Sequence, residues 1–195
     1  MKFLKKLLIL PVLLAGFAAP TLAQTKVGVI NEQRVIQESV VGQHIATRLN
    51  EIRQEITAEL SAMNVPIQQA TEQLNAETAI MTQEQVTQRP DLVQRFQVLN
   101  QQIQQFEVAR RVREQEFQYT ERQAMVPVLE ALQPILAEVV ELHQLDILID
   151  RSNLVFSNQS VDVSADVISR LDQNLPSVPV NRVRMPADAA AGQAQ

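Results

Sequence analysis

The stretch Ile45–Leu74, IATRLNEIRQEITAELSAMNVPIQQATEQL, decides the fold. Its apolar residues Ile45, Leu49, Ile52, Ile56, Leu60, Met63, Ile67, Ala70 and Leu74 recur at steps of three or four. That spacing puts one narrow apolar seam along one side of a helix and turns it toward a partner helix. Most of the residues between are Arg, Glu, Gln, Asn and Thr, which suit the solvated faces. A helix is therefore expected from Gln43 to about Gln83.

Beyond it, the segment MTQEQVTQRPD, Met81 to Asp91, interrupts the pattern. Pro90 disfavours helix at Arg89 but suits the opening turn of a new helix, so a reversal belongs here. A second stripe follows through Leu92, Phe96, Leu99, Ile103 and Phe106, resumes at Phe117, Ala124 and Val128, and continues to Leu132, Ile135, Val139 and Leu142. At roughly 1.5 Å per residue the arms would be on the order of 60 and 80 Å long. A short connection makes them antiparallel neighbours. Residues 43–143 thus read as a helical hairpin, with Pro66, Pro127 and Pro134 as kinks that serve as hinges.

Short strand-like pieces flank the hairpin: Lys26 to Ile30, Leu145 to Asp150 and Asn153 to Ser157. Ser164 has the character of an N-cap for a short helix with Val167, Ile168 and Leu171 on its apolar face. Residues 24–42 and 144–175 therefore read as a discontinuous β-rich body and oligomerisation domain, giving an α+β chain. Val27, Val29, Ile147, Ile149, Val155, Phe156 and Ile168 are its candidate core and interface residues. Three short strands make a marginal sheet on their own, and self-association is the natural remedy.

The ends carry different information. Lys2, Lys5 and Lys6, the apolar run Leu7 to Ala19 and the small-residue pattern Thr21-Leu22-Ala23 have the three-part form of a cleavable signal peptide over residues 1–23, which implies export. The run is too short to span a bilayer. Its removal takes three of the 17 basic residues and none of the 22 acidic ones, so 14 remain against 22, a formal charge of −8. That balance argues against nucleic-acid binding, and membrane contact is at most peripheral. There is no cysteine, which excludes disulfides and thiolate chemistry. Residues 176–195, with Pro176, Pro179 and Pro186 and an alanine-rich end, read as a disordered tail.

Val27-Gly28-Val29-Ile30, then Glu38-Ser39 and Gly42 opening a long polar hairpin, then Leu148-Ile149-Asp150-Arg151-Ser152, Val155-Phe156 and Val161-Asp162-Val163-Ser164 before Val167-Ile168, follow one another in a recognisable order. The chain resembles the Skp/OmpH family of periplasmic chaperones to about Asn174. The resemblance implies a homotrimer with a β-rich body and three tentacle-like hairpins, which enclose unfolded outer-membrane proteins in the periplasm. Familiar members are basic and this chain is acidic. A lipopolysaccharide site is therefore not carried over.

Met81, Val86, Val93, Val98, Val108, Val112 and Met125 lie off the main stripe and are the candidate client-binding residues, the alternative being that they widen the hairpin core. Arg110 and Arg113 fall where the second stripe should be apolar, opposite Glu55 and Glu59. Either an ion-pair cluster interrupts the seam, or a solvated register slip lets Val108 and Val112 take over. The slip is the simpler reading.

The two histidines, His44 and His143, lack ligand spacing. No nucleophile motif or phosphate loop is present, so no catalytic, cofactor or metal site is assigned. The expected function is an ATP-independent holdase that keeps unfolded outer-membrane proteins from aggregating. The alternative is an envelope structural or adaptor protein whose hairpin docks to one folded partner. A metal-dependent enzyme using His44 and His143 is a third reading.

Overall fold

The structure, a computed structural model, describes residues 24–185. The signal-peptide expectation for residues 1–23 lies outside them. The chain begins with strand β1, Val27–Ile30, and helix α1, Glu32–Glu38. The outgoing arm is α2, Val40–Thr78, and the tip carries a short helix, α3, Gln83–Thr87. The returning arm is α4, Pro90–His143, followed by β2, Ile147–Asp150, and by α5, Ser164–Asn174. At roughly 1.5 Å per residue, the 39 residues of α2 and 54 of α4 are on the order of 60 and 80 Å long.

Local chemistry sets the turns. At the tip, Thr82 and Gln85 form a reciprocal capping box: the Gln85 amide donates to Thr82 Oγ1 at 3.3 Å, and the Thr82 amide donates to Gln85 Oε1 at 2.9 Å. Pro90 then occupies the first turn of α4, where its missing N–H costs nothing. The reversal falls where the sequence puts it, with α3 as an addition. At the far end Gln144 takes a left-handed conformation, φ 53°, and its N–H closes α4 onto Glu141 O. Pro66 lies inside α2, and Pro127 and Pro134 lie inside α4.

The elbow between α1 and α2 is tightly closed at Gly42. Ser39, fully buried, accepts from the Gly42 amide at 3.2 Å and donates from its hydroxyl to Ile36 O at 3.2 Å. A Cβ on Gly42 would sit 1.6 Å from Ile36 O, a backbone atom that cannot swing aside.

β1 and β2 pair in parallel, Val27 opposite Ile147 through Ile30 opposite Asp150. The third neighbour is not the expected strand. Asp150 accepts from the Ser152 amide at 2.7 Å, which turns Arg151–Asn153 into a 3₁₀ turn, so Asn153–Ser157 does not join the sheet. Val155 and Phe156, expected in the body core, are exposed on this chain, Phe156 by 84%. The sheet gains instead a parallel bridge from Asp162 to Val29, with the Val163 amide donating to Val29 O at 2.9 Å.

α5 buries Val167 and Leu171 completely, with Ile168 at the edge of the core, as its spacing suggests. Ser164 is not its cap. It is buried, accepts from the Asn31 amide at 2.8 Å, and donates its own N–H to Asp162 Oδ1 at 2.8 Å.

Two separate cores run along the hairpin. The basal one joins Ile45, Ile52 and Ile56 of α2 to Ala124, Val128, Leu132, Ile135 and Val139 of α4, with Ile30, Val35 and α5 beneath. The distal one is Leu74, Leu92 and Leu99, backed by Ile67, Ala70 and Phe96. A fully buried side chain of this kind contributes about 1.5–3 kcal/mol. Between the cores Met63 and Ile103 are both substantially exposed.

The disordered-tail expectation is corrected over residues 176–185. Val178 and Val180 are buried in the basal core, and the segment is bound along the hairpin as an extended strap. Residues 186–195 lie outside the described residues.

Gly42→Ala tests the elbow. The added methyl must push α1 and α2 apart, with an expected loss of about 2 kcal/mol or more in urea unfolding. An unchanged midpoint would contradict the tight-elbow account.

Candidate functional surfaces

The seven off-stripe apolar residues divide by position. Val112 is buried in the seam. Met81 and Val86 pack on the distal core, and Met125 packs on the basal one. Val93 is half-buried. Val98 and Val108 are exposed, at 45% and 39%.

Val108 and Val112 meet in a groove of about 730 Å³ with Gln101, Gln104, Gln105, Ala109, Arg113 and Met185. Its lining combines apolar side chains with three glutamine amides that both donate and accept hydrogen bonds. Val98 lines a second groove with Leu74, Leu99, Gln73, Gln94 and Gln102. The first is lined by α4 and Met185, the second by both α2 and α4, where Ala70 and Arg95 complete it, and each mixes apolar side chains with glutamines and one arginine.

One of the most exposed apolar side chains is Ile80 at the tip, at 96%, next to Met81, Gln85, Gln88 and Arg89. Sequence reading missed it because it sits outside both stripes, one residue before the expected reversal. At the opposite end Val27 and Ile147, neighbours in register on the sheet, are partly exposed, and Val155 and Phe156 after β2 are exposed further still. Val29 is buried and Ile149 half-buried.

A charged cluster closes the basal core. Arg113 Nε donates to Glu59 Oε2 at 2.9 Å, and Arg113 Nη1 to Glu116 Oε1 at 3.1 Å. Arg182 of the strap forks onto both Glu59 oxygens at 2.7 and 3.0 Å and reaches Glu116 Oε2 at 3.1 Å. Arg184 adds a longer contact to Glu59 at 3.4 Å. Glu116 is fully buried and the Arg182 side chain nearly so.

The ion-pair cluster therefore forms at Glu59 and Arg113, against the register slip that is the simpler reading of the sequence. Arg110 turns to Glu107 on its own helix instead. Of the two valines expected to take over the seam, Val112 does and Val108 does not. The hydrogen bond from Arg182, reinforced by its charge and by Arg113, overcomes the cost of burial and holds the Glu59 carboxyl at about 2, against an ordinary 4.5.

The strap's backbone is held by hairpin side chains. The Val183 amide donates to Thr120 Oγ1 at 2.9 Å, and the Met185 amide to Glu116 Oε1 at 2.9 Å. His44 Nε2 lies 3.0 Å from Val178 O. The other histidine, His143, pairs with Asp166 at 2.6 Å. The two rings thus serve different partners, and among the described residues no cluster of three or more metal-ligating side chains occurs. No helix among them is long and apolar enough to cross a membrane.

A long two-helix arm closed at its root by parallel strands defines a hairpin-on-a-small-body protein. A family model described as outer membrane protein (OmpH-like) matches residues 26–171. The chain belongs to that family. The same fold occurs in a solved structure from Caulobacter crescentus CB15, described as a candidate outer membrane chaperone (OmpH-like). The TM-score is 0.68 at 23% identity, covering 84% of this chain and 93% of that one. No curated protein sequence matches. The family match ends at Leu171, so the strap lies beyond it.

The charged cluster has a defined pH response. The Glu59 carboxyl is depressed on folding, so its contribution is present above pH 4.5 and lost as pH falls toward 2. The melting temperature of Glu59→Gln should therefore lie below that of the wild type at pH 7, with the gap closing between about pH 4.5 and 2. A gap independent of pH would contradict the pairing.

Proposed function

We propose that this chain is a non-enzymatic, ATP-independent chaperone of the periplasm that holds unfolded outer-membrane proteins and keeps them from aggregating. Membership of the OmpH-like family and the fold shared with an OmpH-like chaperone candidate support the class. The observation that carries the mechanism is the pair of grooves around Val98 and Val108 of α4, both lined by apolar and glutamine side chains. Shallow contacts of this kind hold many sequences weakly, which suits a client without a fixed shape. The acidic balance of the chain puts this hold on dispersed apolar contact rather than on attraction to acidic clients.

Assembly into a homotrimer belongs to the same reading. Val27, Ile147, Val155 and Phe156 are uncovered on one chain, and exposed apolar side chains in and just after the sheet favour an association surface there. Three hairpins around a shared body would enclose a space, and bends at Pro66, Pro127 and Pro134 would let them adapt to client size.

A second reading rests on Ile80. A hairpin with an isolated apolar residue at its tip suits docking to one folded partner, as an adaptor would. The two readings separate cleanly. The holdase suppresses aggregation of several unrelated urea-diluted barrels and is indifferent to Ile80→Ser. The adaptor binds one partner stoichiometrically and loses it in that variant.

In the aggregation assay, Val98→Asp with Val108→Asp should each remove about 1 kcal/mol of apolar contact, roughly a fivefold weaker hold per site. Absence of suppression by the wild type would overturn the chaperone proposal, and a monomer by native mass would overturn the trimer. Pro66→Ala should shift the range of client sizes that are held, and an unaltered range would remove the hinge.

A further inference from the structure

The strap shows how this hairpin seats an extended polypeptide. From Ser177 to Arg182 its side chains alternate: Val178, Val180 and Arg182 turn inward, while Ser177, Pro179 and Asn181 face solvent. The inward residues enter the basal core or the Glu59–Glu116 pair. The strap's backbone at Val178, Val183 and Met185 is read by His44, Thr120 and Glu116, which face one carbonyl and take two amides without regard to side-chain identity. Backbone contacts for hold and alternate pockets for selection are how extended peptides are recognised elsewhere.

Among the described residues, Arg182 Nε is buried with no hydrogen-bond partner. The strap's last described residue, Met185, reaches the groove formed by Val108, Ala109 and Val112. The strap's seat and that open groove are therefore continuous.

We propose that the hairpin face beneath Val178–Met185 is a polypeptide-binding site. It takes an extended segment with apolar residues at alternate positions followed by an arginine, and the chain's own tail occupies it as a displaceable ligand. The proposal deepens the chaperone reading by giving part of the client-holding surface a built-in competitor. Tethering makes the tail's effective concentration high, on the order of millimolar, so a short free peptide cannot compete with it. A long client that also fills the neighbouring groove can, because it adds contacts that the tail does not make.

The test uses the full chain and a labelled peptide, SVPVNRVRM, copied from Ser177–Met185. Arg182→Ala in the chain releases the tail from the acidic pair and frees the seat. The variant should bind the peptide at least about tenfold more tightly than the wild type does, and a peptide with alanine at its first arginine should lose that gain. Val180→Asn releases the tail by a different contact and should give the same gain, so poor folding of one variant, seen by circular dichroism, leaves the other decisive. Equal peptide binding by wild type and folded variants, or indifference to the peptide's arginine, would overturn the proposal.

No client enters this experiment, so it stands or falls apart from the chaperone reading, which the aggregation assay decides. In the wild type, hydrogen exchange at the Val183 and Met185 amides should then speed up when an unfolded barrel that the assay shows to be held is added. Unchanged exchange at saturation would overturn the competition.

Discussion

Two four-residue strands in parallel register impose the shape of this molecule. Parallel neighbours must be entered from the same end, so the chain leaving Ile30 has to travel out and back before it starts β2 at Ile147. An αβ crossover meets that condition with one helix over the sheet. Here the crossover is a hairpin that projects away from it. The sheet is too small to hold such an arm alone, and α5, the α1–α2 elbow at Gly42 and the strap all pack around the same root.

Along the arm, stability and adhesiveness are divided by position. Close-packed aliphatics fill the base and a second small cluster fills the tip, while the stretch between them exposes Met63, Ile103 and Val108. Buried ion pairs repay their desolvation only with good geometry and full hydrogen bonding. Glu116 and Glu59 come close to that, Glu116 meeting two guanidinium groups and Glu59 three. The cluster stands where the basal core ends and the groove begins, so the change from packed to open surface along α4 coincides with a change from apolar to ionic packing.

Much of this was legible in the residues. The three-and-four spacing from Ile45 to Leu74 marks the outgoing arm, Pro90 marks the return, and the alternation in Val27–Ile30 and Ile147–Asp150 marks the strands. Asn153–Ser157 misled because its apolar pair, Val155 and Phe156, looks like strand, whereas the capping carboxylate of Asp150 has already turned the chain. The tail misled for the opposite reason. Its prolines argue against a packed core, yet they also pre-extend the backbone, and the alternation of Val178, Val180 and Arg182 was there to be read. The groove on α4 was only half legible: Val108 and Val112 stand out by falling off the stripe, but which is seam and which is surface depends on where Arg113 finds its partner.

The central claim is that α4 is the face that grips unfolded chains. A photo-crosslinking residue placed at Val108, compared with one at the exposed Glu55 on α2, tests it most directly in the presence of several unrelated urea-diluted outer-membrane proteins. The account predicts crosslinks to each of those clients from position 108 and few from position 55. Equal yields at the two positions, or crosslinks only from the tip to a single folded partner, would contradict it.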